Sequence, residues 1–204
     1  MLPTWTIKRV DGAARKQTMA FIREQFTEHF GAEVTDDTTE VFAVQRATGE
    51  IDAAFGLNRD PSHFFCRHYV GNVHSRLIQH EGICATSASM VELAHLCVRH
   101  PATLCRILPQ LAAFLAGEAD YLACTVTHEL ARFFQRKHLA PMSIGPARIS
   151  DLPTHIKGEW GNYYDHLPEV VMGNLSNACK RLGVTPKPCI PAAQHAGEGL
   201  LKIA

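Results

Sequence analysis

The sequence has no excess charge of either sign: twenty Lys and Arg balance twenty Asp and Glu over 204 residues. A nucleic-acid-binding chain shows a basic excess or stripe, so that class of partner is not expected. Long hydrophobic runs are also missing. The longest, 104–116, is broken by Arg106, Pro109 and Gln110 and is shorter than the roughly 20 residues a membrane-spanning helix needs. Met1 to Trp5 lacks the charged and apolar regions of a secretory signal. A cytoplasmic chain without integral membrane association is the expectation. None of the seven cysteines (66, 84, 97, 105, 124, 179 and 189) belongs to a C-x-x-C pair, and an odd number leaves at least one unpaired. Several sit in apolar runs, which reads as reduced thiols packed as small hydrophobes. Internal repeats and low-complexity tracts are lacking too.

Histidine, in contrast, is abundant, with twelve, so net charge turns positive as pH falls through about 6.5. His63, Cys66 and His68 lie close together, but their spacing matches no structural zinc pattern, and no metal is expected.

Periodicity supplies the elements. Trp5 to Val10 alternates as a strand; Met19, Ile22, Phe26 and Phe30 recur at helical spacing up to Gly31. Strands at 40–45 and 51–57 around Thr48-Gly49-Glu50 predict a β-hairpin. A helix over 69–80 would put Val70, Val73, Leu77 and Ile78 on its apolar side, and 82–89 reads as a loop. Met90 to Val98 reads as a strand, followed by a helix striped by Leu104, Ile107, Leu108, Leu111, Phe114 and Leu115, with Pro109 predicted to kink it. A strand over 121–127, a helix over 128–138 and an edge strand at 144–149 complete the pattern. Strand, helix, strand, helix from 90 to 138 predicts two parallel strands joined by a right-handed crossover, in a mixed sheet covered on both faces. One α/β domain over 1–184 is expected, with 185–204 a tail docked by Leu200, Leu201 and Ile203.

Four stretches carry a resemblance. They are Phe21-Ile22 through Phe26 to Phe30-Gly31-Ala32-Glu33; Phe64-Phe65-Cys66-Arg67-His68-Tyr69-Val70; Val91-Glu92-Leu93-Ala94-His95-Leu96-Cys97; and Trp160-Gly161-Asn162-Tyr163-Tyr164 with Pro168-Glu169-Val170 and Gly173. In this order, across 20–173, the chain resembles the thermostable hemolysin family, with the GNAT-like fold that acyl-homoserine lactone autoinducer synthases share. His95 stands where that family carries Asn, and Cys97 where it carries a small apolar residue. The resemblance implies a mixed sheet whose two central parallel strands splay into a cleft for an acyl chain. It also implies transfer of an activated acyl or aminoacyl group to a small-molecule amine. The donor would be acyl-CoA, a carrier-protein thioester or an adenylate, so a carrier protein or adenylating enzyme is an implied partner, and no tightly bound cofactor is expected. GNAT enzymes cradle the CoA pyrophosphate on a Gly-rich turn after the fourth strand. Arg99-His100-Pro101-Ala102-Thr103 has no glycine there, and Phe133 and Phe134 lie where many such enzymes place a tyrosine acid.

Glu92 and His95 are the candidate catalytic residues. A carboxyl inside an apolar strand must be paired or have a raised pKa, which suits a general base or a structural salt bridge to an Arg. His95 suits deprotonation of an amine or a core position. In a regular strand the two face opposite sides and act together only across a bulge. Leu96, Cys97, Arg99 and Thr103 are the candidate donor-binding residues; a Cys97–His nucleophile would need a depressed thiol pKa. Thr125, Thr127, Tyr163 and Tyr164 are candidates for substrate binding, with Thr127 also a helix N-cap. Two other classes stay open: a non-catalytic GNAT-like binding subunit, and a membrane-active protein using 13–30 as its amphipathic segment.

Overall fold

The computed structural model describes residues 5–36, 38–81 and 89–186. The expected segment 82–88 and the tail with Leu200, Leu201 and Ile203 lie outside the described residues.

The chain alternates strands with helices: β1 (Trp5–Val10), α1 (Gly12–Phe30), β2 (Glu40–Arg46), β3 (Ile51–Asn58), α2 (Arg67–Val70), α3 (Val73–Glu81), β4 (Met90–Val98), α4 (Pro101–Leu115), β5 (Tyr121–Val126), α5 (His128–Arg136), β6 (Met142–Pro146), β7 (Glu169–Asn174) and α6 (Leu175–Leu182). Three short 3-10 stretches, Ile149–Asp151, Thr154–Trp160 and Tyr163–His166, lead from β6 to β7. The strands form one mixed sheet in the order β1-β2-β3-β4-β5-β7-β6. Only the β4–β5 pairing is parallel, as the crossover through α4 requires.

Alternation along β2 divides the core between the two faces. Val41 and Ala43 join Met19, Ile22 and Phe26 of α1, while Phe42 and Val44 join Ile107, Leu111 and Leu115 of α4. Covered on both faces, β3 is buried along all its length. Gly56 within it is required by close approach, since a Cβ there would press on the Thr38 side chain at 2.5 Å. The apolar side of α1 is thus packed on the sheet, which removes it as an exposed lytic face. No described helix is long and apolar enough to cross a membrane.

The structure departs from periodicity in three places. Gly71 (φ 70°, ψ −131°) splits the helix expected over 69–80 in two, and Ile78 is left 46% exposed while Val70, Val73 and Leu77 are buried. Pro109 sits inside a continuous α4. The sheet also gains β7, inserted between β5 and β6 and continued by α6.

Candidate functional site

The central feature arises where two strands stop pairing. β4 and β5 are in register from Met90↔Tyr121 to Leu93↔Cys124, and pairing ends there although β4 runs on to Val98 and β5 to Val126. On its other side β4 carries a bulge: Ala94 pairs with Gly56 and Cys97 with Ala54, so three steps on β4 match two on β3. His95 takes up the extra residue at φ 54°, a left-handed conformation unusual for a side chain other than glycine. The bulge puts Glu92 and His95 on the lining of one pocket, the arrangement that a regular strand forbids.

Two pockets flank the splay. On the α4 side lies a cavity of about 190 Å³ lined by Leu108, Leu111 and Leu115 of α4, Leu139 to Met142, and Asn177, Ala178 and Arg181 of α6. Arg181 is the one charged side chain among those lining it. On the α1 side lies a cavity of about 140 Å³ lined by Phe26, Phe30, Phe65, Trp160 and Tyr163 together with Glu92, His95, Thr125 and Thr127. Leu93, Leu96, Cys124 and Phe134 line both, so the two pockets meet where the strands part.

Glu92 is 2% exposed. Its Oε2 accepts from the Asn58 amide at 2.9 Å and the Phe65 backbone N–H at 2.7 Å, and its Oε1 accepts from the Cys66 N–H at 2.7 Å. Its partners are therefore an amide, two backbone donors and the Cys66 thiol, none of them an arginine. The carboxyl ties the 64–66 segment to β4. Burial pushes it above the ordinary carboxylate range, and the four converging donors oppose that shift. The side chain of His95 borders Phe26 edge-on at 5.9 Å.

The aromatic wall is held from the far side of the sequence. Gly161 adopts φ 48° against the end of α1, where a Cβ would overlap the Phe30 carbonyl oxygen. The Asn162 N–H donates to that oxygen at 2.8 Å, and the Glu33 N–H donates to the Glu159 carbonyl at 2.6 Å. These bonds seat Trp160 and Tyr163 beside Phe30. The indole Nε1–H of Trp160 is buried without an acceptor among the described residues. Burial pushes the Tyr163 phenol upward, so it stays protonated. The Tyr164 hydroxyl bonds to that of Tyr69 at 2.7 Å, one layer behind the pocket.

Of the expected site residues, Glu92, His95, Leu96, Thr125, Thr127 and Tyr163 converge on the cleft. Thr127 also caps α5, its hydroxyl accepting from the Leu130 N–H at 3.4 Å. Cys97, Arg99 and Thr103 lie off it. The Cys97 thiol is buried in the core beneath α1, donates to the Ala54 carbonyl and is pushed up to about 12 by burial, the reverse of an activated nucleophile. Arg99 donates twice to the Ile51 carbonyl, pairs with Glu50 and stacks over Phe21, so its charge is used within the fold. Thr103 is buried, with its N–H bonded to the His100 carbonyl, and Pro101 opens α4 without a donor. The turn after β4 thus offers little to a pyrophosphate. Periodicity marked Phe26 and Phe30 only as the apolar side of α1, not as pocket wall, and gave no signal for Phe65 or for the α6 side of the apolar cavity. No group of three His, Cys, Asp or Glu that could hold a metal occurs among the described residues.

A family model described as thermostable hemolysin matches residues 9–179. No curated protein matches the sequence. Among solved structures, FeeM, an N-acyl amino acid synthase from uncultured soil microbes, is similar over 88% of this chain and 95% of its own, at 11% identity and a TM-score of 0.58. TofI in an apo form is similar over 90% and 98%, at 17% identity and a TM-score of 0.57. The CoA-dependent acyl-homoserine lactone synthase BjaI, solved with SAM and isopentyl-CoA, is similar over 89% and 90%, at 13% identity and a TM-score of 0.52. At these identities the likeness is one of fold, a mixed-sheet GNAT-like fold.

Proposed function

The chain belongs to the thermostable hemolysin family, and we propose that it transfers an acyl group from an activated thioester to a small-molecule amine. The observation that carries this is the meeting of two unlike pockets at the β4–β5 splay, one apolar and one containing His95. A cavity of about 150 Å³ holds a benzene ring, so the 190 Å³ on the α4 side has room for about eight carbons of an acyl chain. Backbone groups of β4 and β5 beyond Leu93 and Cys124 have no partner across the splay and are suited to grip the donor. Arg181 would meet an anionic group on the donor. With Arg99 engaged by Ile51 and Glu50, a carrier thioester fits better than CoA.

The amine nitrogen attacks the thioester carbon; its proton passes to His95, the C–N bond forms, the C–S bond breaks, and the departing thiolate is reprotonated. His95 is the proposed base, since an imidazole can accept a proton at neutral pH. Glu92 is a positioning residue, with both oxygens taken by donors that fix Phe65 in the pocket wall. Tyr163 and Thr125 border the reacting atoms, and Tyr164 supports Tyr163 from behind. Positioning two substrates across one cleft supplies much of the acceleration in such a site.

Incubation with acyl-carrier and acyl-CoA thioesters of two to twelve carbons and a panel of amines, read by mass spectrometry, tests the proposal. Amide formation that depends on His95 supports it. A protein that retains no thioester and forms no amide from any of them refutes it.

A further inference from the structure

The α1-side pocket is walled by rings in unbroken succession. His95 lies against Phe26, Phe26 against Phe30, Phe30 against Tyr163, Tyr163 against Trp160 and Trp160 against Phe65, with centroids 5.1 to 5.9 Å apart. Aromatic faces present the negative lobes of a quadrupole and attract cations. No Lys or Arg lines this pocket; its one carboxyl is Glu92. A carboxylate on the ligand would enter a largely apolar space with no Lys or Arg to meet it. An ammonium group would meet the negative faces of the rings. The volume of about 140 Å³ is close to that of the cavity known to take benzene, and so fits one ring or a short alkyl body.

Resting on the acyl-transfer reading, we propose that the acceptor is a primary amine that carries no carboxylate, of the arylalkylamine class, held by the rings of Phe30, Phe65, Trp160 and Tyr163. It enters as its ammonium ion and loses one proton to solvent before the nitrogen attacks; the proton released on attack is the one His95 takes. Amino acids, which bear a carboxylate that no Lys or Arg of this pocket can pair, are excluded as acceptors.

The test is calorimetric titration of the full chain, without any acyl donor, using 2-phenylethylamine and L-phenylalanine at neutral pH. The amine is expected to saturate a single site about ten-fold or more tighter than the amino acid, the difference expected of an unpaired buried carboxylate against a cation in an aromatic cage. Trp160 emission should change on titration with the amine, and Trp160→Phe should remove that change. Phe30→Leu, which keeps apolar volume and removes a ring face, should weaken the amine while circular dichroism stays unchanged. L-phenylalanine binding as tightly as the amine, or neither binding, overturns the proposal. An amine that binds but is never acylated by any thioester refutes the acyl-transfer reading and the acceptor role with it, and leaves only the amine-selective pocket.

Discussion

Replacing Glu92 by Gln separates an anchor from a proton acceptor. The carboxylate accepts from Asn58 Nδ2, Phe65 N and Cys66 N inside the protein. An amide has one oxygen, and its NH₂ must point at a donor. In the less costly orientation that oxygen keeps Asn58 and Phe65 and the NH₂ faces Cys66. Asn58 cannot turn over to help, because its Oδ1 already accepts from the Thr39 N–H and hydroxyl. One buried backbone N–H is then orphaned, at about 1–3 kcal/mol, and two charge-assisted bonds become neutral, at about 1 kcal/mol each. The lower cost of burying an amide rather than a charge offsets part of this, leaving about 2–3 kcal/mol. For a chain of 204 residues that is a fall of roughly 5–10 °C in Tm. Urea and thermal unfolding of Glu92→Gln give the number, and hydrogen exchange should show the Phe65 and Cys66 amides opening faster. A variant with wild-type midpoints and no activity would refute the anchor and make Glu92 the base.

Other expectations follow from the same geometry. His95→Gln should keep the fold and lower amide formation by about 10²-fold or more, the usual share of general base catalysis; near wild-type rates would remove His95 from the reaction. Gly161→Ala pushes a Cβ into the Phe30 carbonyl oxygen, so it should cost about 2 kcal/mol or more in urea unfolding and blunt Trp160 emission; an unperturbed variant would mean that the turn is not seated as described. Ala178→Leu narrows the α4-side cavity and should abolish use of donors longer than about six carbons while sparing short ones. The Cys97 and Cys124 thiols are both pushed up to about 12 in the folded chain from an unfolded value of 9.0, so their stabilising effect is complete below pH 9 and is lost as pH rises towards 12. Unfolding free energy should therefore fall across that window, and thiol labelling mapped by mass spectrometry should modify Cys105 well before Cys66, Cys97, Cys124 or Cys179.

Most of the sheet was readable because its strands obey period two with both faces buried: β2 from Val41 to Val44 and β3 from Ala53 to Phe55 contribute to the two cores in alternation. β7 was not. Glu169–Asn174 pairs with β5 on one side and β6 on the other, yet its run of six residues ends in Gly173 and Asn174, and Asn174 already serves as the N-cap of α6. What placed it was the order of strands in space, which local pattern does not encode. Ile78 failed for a related reason: a helical period drawn through Gly71 assumed one continuous rod, and after the break α3 turns Val73 and Leu77 to the core and leaves Ile78 outside.

The site was legible as composition and illegible as geometry. Glu92 and His95 stood out because a carboxyl and an imidazole in an apolar strand need a reason. Whether they share a face depended on a one-residue slip between Ala54–Gly56 and Ala94–Cys97, and the signal for it resides in the pairing with β3, far away in sequence. The same slip undoes simple reading of the donor turn. Arg99 looked placed for a phosphate at a strand end; instead the hairpin brings the Ile51 carbonyl and Glu50 to its guanidinium. The resulting division is physical. The apolar lining comes from the α4–α6 side, His95 from the bulge in β4, and the aromatic wall from α1, Phe65 and the 160–163 turn. Only the parted strands let the two sides touch. Deleting Leu96 to restore regular pairing should therefore leave a folded sheet in which His95 faces away from the α1-side pocket. Loss of amine binding in that variant, with the sheet signature of circular dichroism retained, would show that the bulge rather than the residue types makes the site; retained binding would show the reverse.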